Sequence, residues 1–438
     1  MKFRGLILAT VVLLALGGTL YWSEHRKPSD DKPNTSDATP SILKLDESAI
    51  TRVDLKKTGA EPIVLTKSIS GAWQISEPRP YDADQNNVSS TLSSISSLTS
   101  ERVVDEKASD LKQFGLAPPT FEVDVFEKDN KSQKLLLGDD TPTGSAVYTM
   151  LAGDPRVYTI ASYNRNTIAK SLNELRDKRL LPVSPDQISR LEITRKNQTI
   201  EFGRNKEDWQ ILQPRPLRAD STKVGDLVQK LTDARMDLNK ADGESKETAS
   251  AFKSATPVAT AKITDSSGEK ELEIRKSKED YLAKSSTVDG MYKVNADLAH
   301  ALDKGVDDFR SLKVYDFSFA DPNKVEIHSG SKTYVLTRSG NDWLSNGKKM
   351  DVDSVGPLLS NLRDLSADSF VDAGFAAPTT EITVTSNDGN RVEKVSIAKT
   401  EGGYIAKREN ESTLYHLPAA SVDTLLKAAD DVKPAAAK

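Results

Sequence analysis

The chain has 438 residues, 37% hydrophobic and 29% charged, which gives room for two to four soluble domains. Its 60 basic and 65 acidic side chains are mixed along the sequence and net only −5, which excludes the basic stripe of a nucleic-acid binder. Cysteine is absent, so disulfides, thiolate metal sites, a cysteine nucleophile and a lipobox cysteine are excluded together.

Lys2 and Arg4 precede an uncharged run from Gly5 to Ser23, centred on LILATVVLLAL. As a helix the run is long enough to cross a hydrocarbon core of ~30 Å. Tyr21 and Trp22 close it, where interfacial aromatics sit. Residues 1–23 therefore read as an uncleaved single-pass anchor in the inner membrane. The N-terminus is then cytoplasmic, and the bulk of the chain is periplasmic. A cleaved signal peptide ending near Ala15 and Gly17 is the rival reading. Residues 24–41, dominated by Pro, Ser, Asp, Lys and Thr, read as a disordered linker.

Beyond the linker the sequence repeats itself. Trp73, Trp209 and Trp343 are spaced by 136 and 134 residues. Their settings are GAWQISEPRPYDAD, EDWQILQPRPLRAD and the shorter NDWLSNGKKMDVD. Upstream of each lie two alternating apolar runs, which predict β-strands: Ile50, Val53, Leu55 with Ile63, Leu65; Ile188, Leu191, Ile193 with Ile200, Phe202; Val325, Ile327 with Tyr334, Leu336. The Trp run makes a third strand. Downstream, Asp84, Asp220, and Asp351 or Asp353 are predicted N-caps, because an aspartate accepts from free N–H groups of a first helical turn. Helical spacing follows in Val88, Leu92, Ile95, in Val224, Leu227, Val228, Leu231, and in Val355, Leu358, Leu359, Leu362, Leu365.

The second half of each copy predicts four short strands with hairpin turns such as Asp129-Asn130, Ser267-Gly268 and Asp388-Gly389. Tyrosine pairs mark the last two strands: Tyr148 and Tyr158, Tyr281 and Tyr292, Tyr404 and Tyr415. A closing helix carries Ile168, Leu172, Leu175, then Leu298, Leu302, Val306, then Val422, Leu425, Leu426. The fold class is thus α+β: three tandem modules, each a mainly antiparallel sheet with two packed helices. The modules are placed at 42–183, 184–316 and 317–433, with a tail at 434–438.

Copy one carries W-x-I-x-x-P-x-x-x-x-A-D at Trp73 to Asp84 and F-G-L-x-x-P from Phe114 to Pro119. L-G-x-x-T-P-x-G spans Leu137 to Gly144, and L-R-D-K-x-L-L spans Leu175 to Leu181. With the single N-terminal span, these motifs resemble the bacterial domain-of-unknown-function family numbered forty-three forty, over about residues 42 to 433. Copy two departs at FKSATP and lacks the L-G-x-x-T-P turn, and copy three loses the proline after its Trp. The resemblance implies a membrane-anchored accessory protein associated with gliding-motility-type ABC transporter components.

No catalytic, cofactor or metal residues are assigned. His25, His300, His328 and His416 have no metal-ligand spacing, and there is no nucleophile elbow, P-loop or dinucleotide fingerprint. Leu137 to Gly144 reads as a hairpin turn and not a phosphate cradle. Asp82 and Asp84 could form an acid–base pair, but copy two has Arg218 at the first position and keeps only the Asp220 cap. Arg79 and Arg215, each between two prolines, are the candidate partner-binding residues. The expected function is a non-enzymatic scaffold for partner proteins, which include integral-membrane subunits. A binder of an envelope glycan or lipid head group is the alternative. An envelope hydrolase ranks last.

Overall fold

The computed structural model describes residues 41–43, 45–128, 131–206, 208–238, 245–317 and 322–436. The expected anchor, the linker up to residue 40 and the Asp129-Asn130 turn lie outside them. Among the described residues no helix is long and apolar enough to cross a membrane.

Three antiparallel sheets carry the chain. The first is built from β1 (Ile50–Lys57), β2 (Ile63–Lys67), β3 (Trp73–Glu77), β4 (Tyr81–Asp82), β5 (Arg102–Asp105), β6 (Phe121–Glu127), β7 (Ser132–Asp140), β8 (Ala146–Leu151) and β9 (Val157–Ala161). Its spatial order is β4-β3-β2-β1-β6-β7-β8-β9-β5. The second comprises β10 (Arg190–Arg195), β11 (Gln198–Asn205), β12 (Asp208–Gln213), β13 (Leu217–Arg218), β14 (Thr256–Asp265), β15 (Gly268–Ser277), β16 (Asp280–Ser285) and β17 (Tyr292–Val294). The third comprises β18 (Lys324–Ser329), β19 (Lys332–Ser339), β20 (Asp342–Ser345), β21 (Lys348–Lys349), β22 (Ser369–Val371), β23 (Thr380–Ser386), β24 (Arg391–Thr400), β25 (Gly403–Arg408) and β26 (Leu414–Leu417). The last two sheets repeat the first order, except that the second has no counterpart of β5 among the described residues. The first and second halves of each module thus join edge to edge, β1 on β6, β10 on β14 and β18 on β23.

Alternation explains the strands, and one break in it has a cause. Ile50, Val53 and Leu55 are all buried although the first two are an odd number of positions apart. The register shifts between Ile50 and Arg52, so a bulge returns the apolar set to one face. The helices are α1 (Gln85–Ser96), α2 (Ser162–Ile168), α3 (Leu172–Leu175), α4 (Ser221–Thr232), α5 (Lys246–Ser254), α6 (Ala296–Leu302), α7 (Val352–Asp364) and α8 (Ala419–Asp430). Asp84, Asp220 and Asp351 are the N-caps of α1, α4 and α7, and each carboxylate accepts from first-turn N–H groups. Closure by one helix holds only in module three; α2–α3 and α6 with a 3-10 turn divide that role in the others.

Each sheet buries its own core, with Trp73, Trp209 and Trp343 only 5–7% exposed within it. The three tryptophans face Lys67, Arg204 and Arg338 on the neighbouring strand, which are matching register positions. A repeated pair of links marks the ends of each module. Ile42, Leu180 and Val314 N–H groups donate to the carbonyls of Leu98, Ala234 and Leu365 at 2.9–3.1 Å. The cap residues Asp84, Asp220 and Asp351 donate N–H to Leu175, Phe309 and Lys433 carbonyls at 2.8–2.9 Å. The second core takes in Leu180, Leu181 and Val183, and the third takes in Val314 and Tyr315. These residues precede 184 and 317, where the sequence reading starts modules two and three. The chain divides into two compact units after Lys178; the first holds one module and the second holds two.

Candidate functional site

Strand β3 ends at Glu77 and the chain turns through cis Pro78, Arg79 and Pro80 into β4. Module two repeats this turn with cis Pro214, Arg215 and Pro216. Module three replaces it with a two-residue hairpin, where Asn346 and Gly347 both have positive φ (50° and 72°). This accounts for its shorter sequence without prolines. Arg79 is exposed and lies 5.7 Å from the centre of the Tyr81 ring, which also takes the Arg176 guanidinium at 3.9 Å.

Arg215 is exposed too, but its Nη1 donates to Ser412 Oγ of module three at 3.2 Å. It belongs to a joint between modules two and three. Arg218 donates to the Lys313 carbonyl at 2.6 Å and to Tyr415 Oη at 3.3 Å, and it pairs closely with Asp316. Burial opposes the Arg218 charge, but Asp316 and Tyr415 outweigh it and hold the guanidinium above its ordinary value. Arg310 donates to Thr413 Oγ1 at 3.0 Å and stacks 3.5 Å from the centre of the Phe370 ring. Behind them, Arg408 bonds Glu393 at 3.2 Å and Glu411 at 2.7 Å, and also the Val314 carbonyl. The joint was not read from the sequence; the one signal available was Arg218 standing where module one has Asp82.

The family motifs F-G-L-x-x-P and L-G-x-x-T-P meet in module one. A Cβ at Gly138 would collide with the Phe114 carbonyl, and one at Gly115, φ +64°, with the Asp139 carboxylate. Phe114 and Leu116 thereby form a small second core with Met150 and Val157. Module two lacks both motifs together and places α5, with buried Phe252, in that stretch. Leu137 to Asp140 end β7, and Thr141 to Gly144 turn toward β8, with Gly144 at φ +71°.

The meander tyrosines also recur. Tyr158 donates to Asp154 and Tyr415 to Glu411, both at 3.0 Å, and Tyr292 donates to the Asp289 carbonyl at 2.7 Å. The Arg156 hydrogen bond holds the Asp154 carboxyl down at about 2, while burial and Asp154 push Tyr158 up to about 12. Among the described residues no three His, Cys, Asp or Glu side chains could hold a metal. His300 contacts Tyr281, His328 contacts Thr333 and His416 contacts Asp368, while His25 lies outside the described residues.

A cavity of about 320 Å³ opens in module one beside the Pro78 turn. Leu55, Ile63, Phe121 and Leu172 give it an apolar floor, with Lys57, Glu61 and Lys170 at its rim. A second, of about 410 Å³, lies between α7 and α8 and is lined by Asp351, Asp353, Lys427 and Lys433 among others.

Sheet, capped helix, meander and closing helix, repeated in series, define a tandem α+β repeat protein. The model of the family described as Domain of unknown function (DUF4340) matches residues 73–213 and 209–381, and the chain belongs to that family. Both matches begin on a Trp strand and run past the next module's opening, so the family unit is offset from the structural module. No curated protein matches the chain. A DNA polymerase sliding clamp from Pseudomonas aeruginosa is similar at 7% identity over 86% of this chain and 93% of that one, with a TM-score of 0.16 that supports no argument.

Proposed function

We propose that this is a membrane-anchored extracytoplasmic accessory protein, without enzymatic activity, whose modules bind partner proteins of an integral-membrane complex. The resemblance points to an ABC-type transporter as that complex. The observation that carries the reading is the joint of Arg215, Arg218 and Arg310 on module three. Side chains at the Pro-Arg-Pro end of a module are already used there to hold another folded module. Exposed Arg79 occupies the matching place on module one, and arginine suits interfaces because its planar fork pairs carboxylates and stacks on aromatics.

Two results are expected. The membrane-extracted protein should retain its first residues by intact mass, and a mature start near Gly18 would contradict the anchor. Arg79→Glu should lower recovery of the complex several-fold with melting unchanged, and full recovery would remove Arg79 from the interface. Arg215→Glu is the poorer probe, since it also breaks the Ser412 contact.

A further inference from the structure

The Pro-Arg-Pro ends of modules one and two are the same construction with one charge reversed. Each turn leads into a two-residue strand, which ends on Asp82 in module one and on Arg218 in module two. Asp82 faces Gln74 and Arg218 faces Gln210 on the neighbouring strand. The Asp82 carbonyl accepts from Asp177 N–H at 2.8 Å, and the Arg218 carbonyl accepts from Ser311 N–H at 3.0 Å. The buried Arg176 and Arg310 also correspond, since they bridge Ala83 and Ala219.

Module three receives all three arginines of the module-two end. Arg215 donates to the Ser412 hydroxyl, Arg218 pairs with the Asp316 carboxylate, and Arg310 stacks on the Phe370 ring. The Arg218 side chain is left only 17% exposed. The end of module one differs in two respects. Arg176 takes its ring from its own module, from Tyr81 at 3.9 Å, where module two has Leu217. Asp82 is exposed, and its carboxylate makes no ion pair among the described residues. The central position of the construction therefore offers an anion where module two offers a cation.

We propose that the end of module one docks a partner polypeptide that sets a lysine or arginine against Asp82 and a hydroxyl or carbonyl oxygen against Arg79. The inference rests on the accessory reading above and deepens it, since it names the chemistry of the partner's contact. The basic residue follows from the reversed charge. Interfaces match potentials of opposite sign, so a surface built like the joint keeps its central ion pair only if the partner brings the cation. The oxygen follows from Ser412, which Arg215 bonds at the matching place. The partner needs no aromatic ring, because Tyr81 already serves Arg176. A second copy docking through its module three is disfavoured, because Asp316 would then face Asp82.

The test uses the full-length protein in its own membranes, with the photo-crosslinker p-benzoylphenylalanine in place of Gln74, the exposed cross-strand neighbour of Asp82. Illumination should join it to another polypeptide. Mass spectrometry of the adduct should place a lysine or arginine within a few residues of the attachment point. Asp82→Arg should cut the adduct yield about tenfold, Asp82→Asn should lower it less, and Asp82→Glu should keep it. Melting should not change in Asp82→Arg, since module two folds with arginine at the same strand position. An adduct with an acidic segment, with a second copy or within the chain overturns the proposal. A yield indifferent to both Asp82→Arg and Asp82→Asn overturns it too, even if the protein extracts in a complex. Full-length protein extracted alone in mild detergent overturns the accessory reading, whatever adduct forms.

Discussion

Trp73→Ala is expected to cost module one about 3–5 kcal/mol, the usual range for removing a buried tryptophan from a packed core. Trp73 is 7% exposed and packs with β1, β2 and α1 residues in a core that shares no residue with those of modules two and three. The loss should therefore stay within Met1–Lys178. Hydrogen exchange read by peptide shows this directly. Amides of β1, β2 and β6 should exchange faster in the variant, while those of β10 and β18 keep their protection. Equal loss of protection in both units would contradict separate cores.

Arg408→Met is the second large effect, at about 3–5 kcal/mol on module three. The Arg408 side chain is 12% exposed and that of Glu393 5%, so removing the guanidinium strands a buried carboxylate. Glu393 Oε2 already has no hydrogen-bond partner, and Oε1 would keep only the Asp316 N–H at 3.0 Å. Replacing both residues, Arg408→Met with Glu393→Met, should recover most of the loss, since an apolar pair leaves no buried charge. Denaturant unfolding of the four proteins of this cycle gives the comparison. A double variant as unstable as the sum of the singles would show that the pair is not coupled. Because Asp316 lies between Arg408 and Arg218, the single variant should also loosen the joint to module two.

The repeat was legible because its landmarks obey local rules. Asp caps declare themselves before helical spacing, alternation declares β1, β10 and β18, and a Trp on each third strand supplies the register between copies. What escaped depends on residues far apart in sequence. Strands β5 and β22 join the sheet beside β9 and β26, after the first helix and far from their partners in the chain. No periodicity announces such an edge strand. Leu180 and Val314 stand well ahead of β10 and β18, the first strands of their modules, so the sequence reading placed both openings too late. The joint is made of hydrogen bonds and one ion pair that span 95 to 197 residues, which no spacing rule reaches. Of the two candidate partner-binding arginines, the sequence placed both on matching exposed turns, but only the structure shows that Arg215 already has Ser412.

The central claim is that this chain works as an anchored subunit of a larger membrane complex. The native mass of the full-length protein, extracted from its own membranes in a mild detergent and measured by light scattering, tests it most directly. The account predicts a particle well above one 47.9 kDa chain with its detergent, containing stoichiometric integral-membrane subunits. A single chain, alone in its micelle, would contradict it.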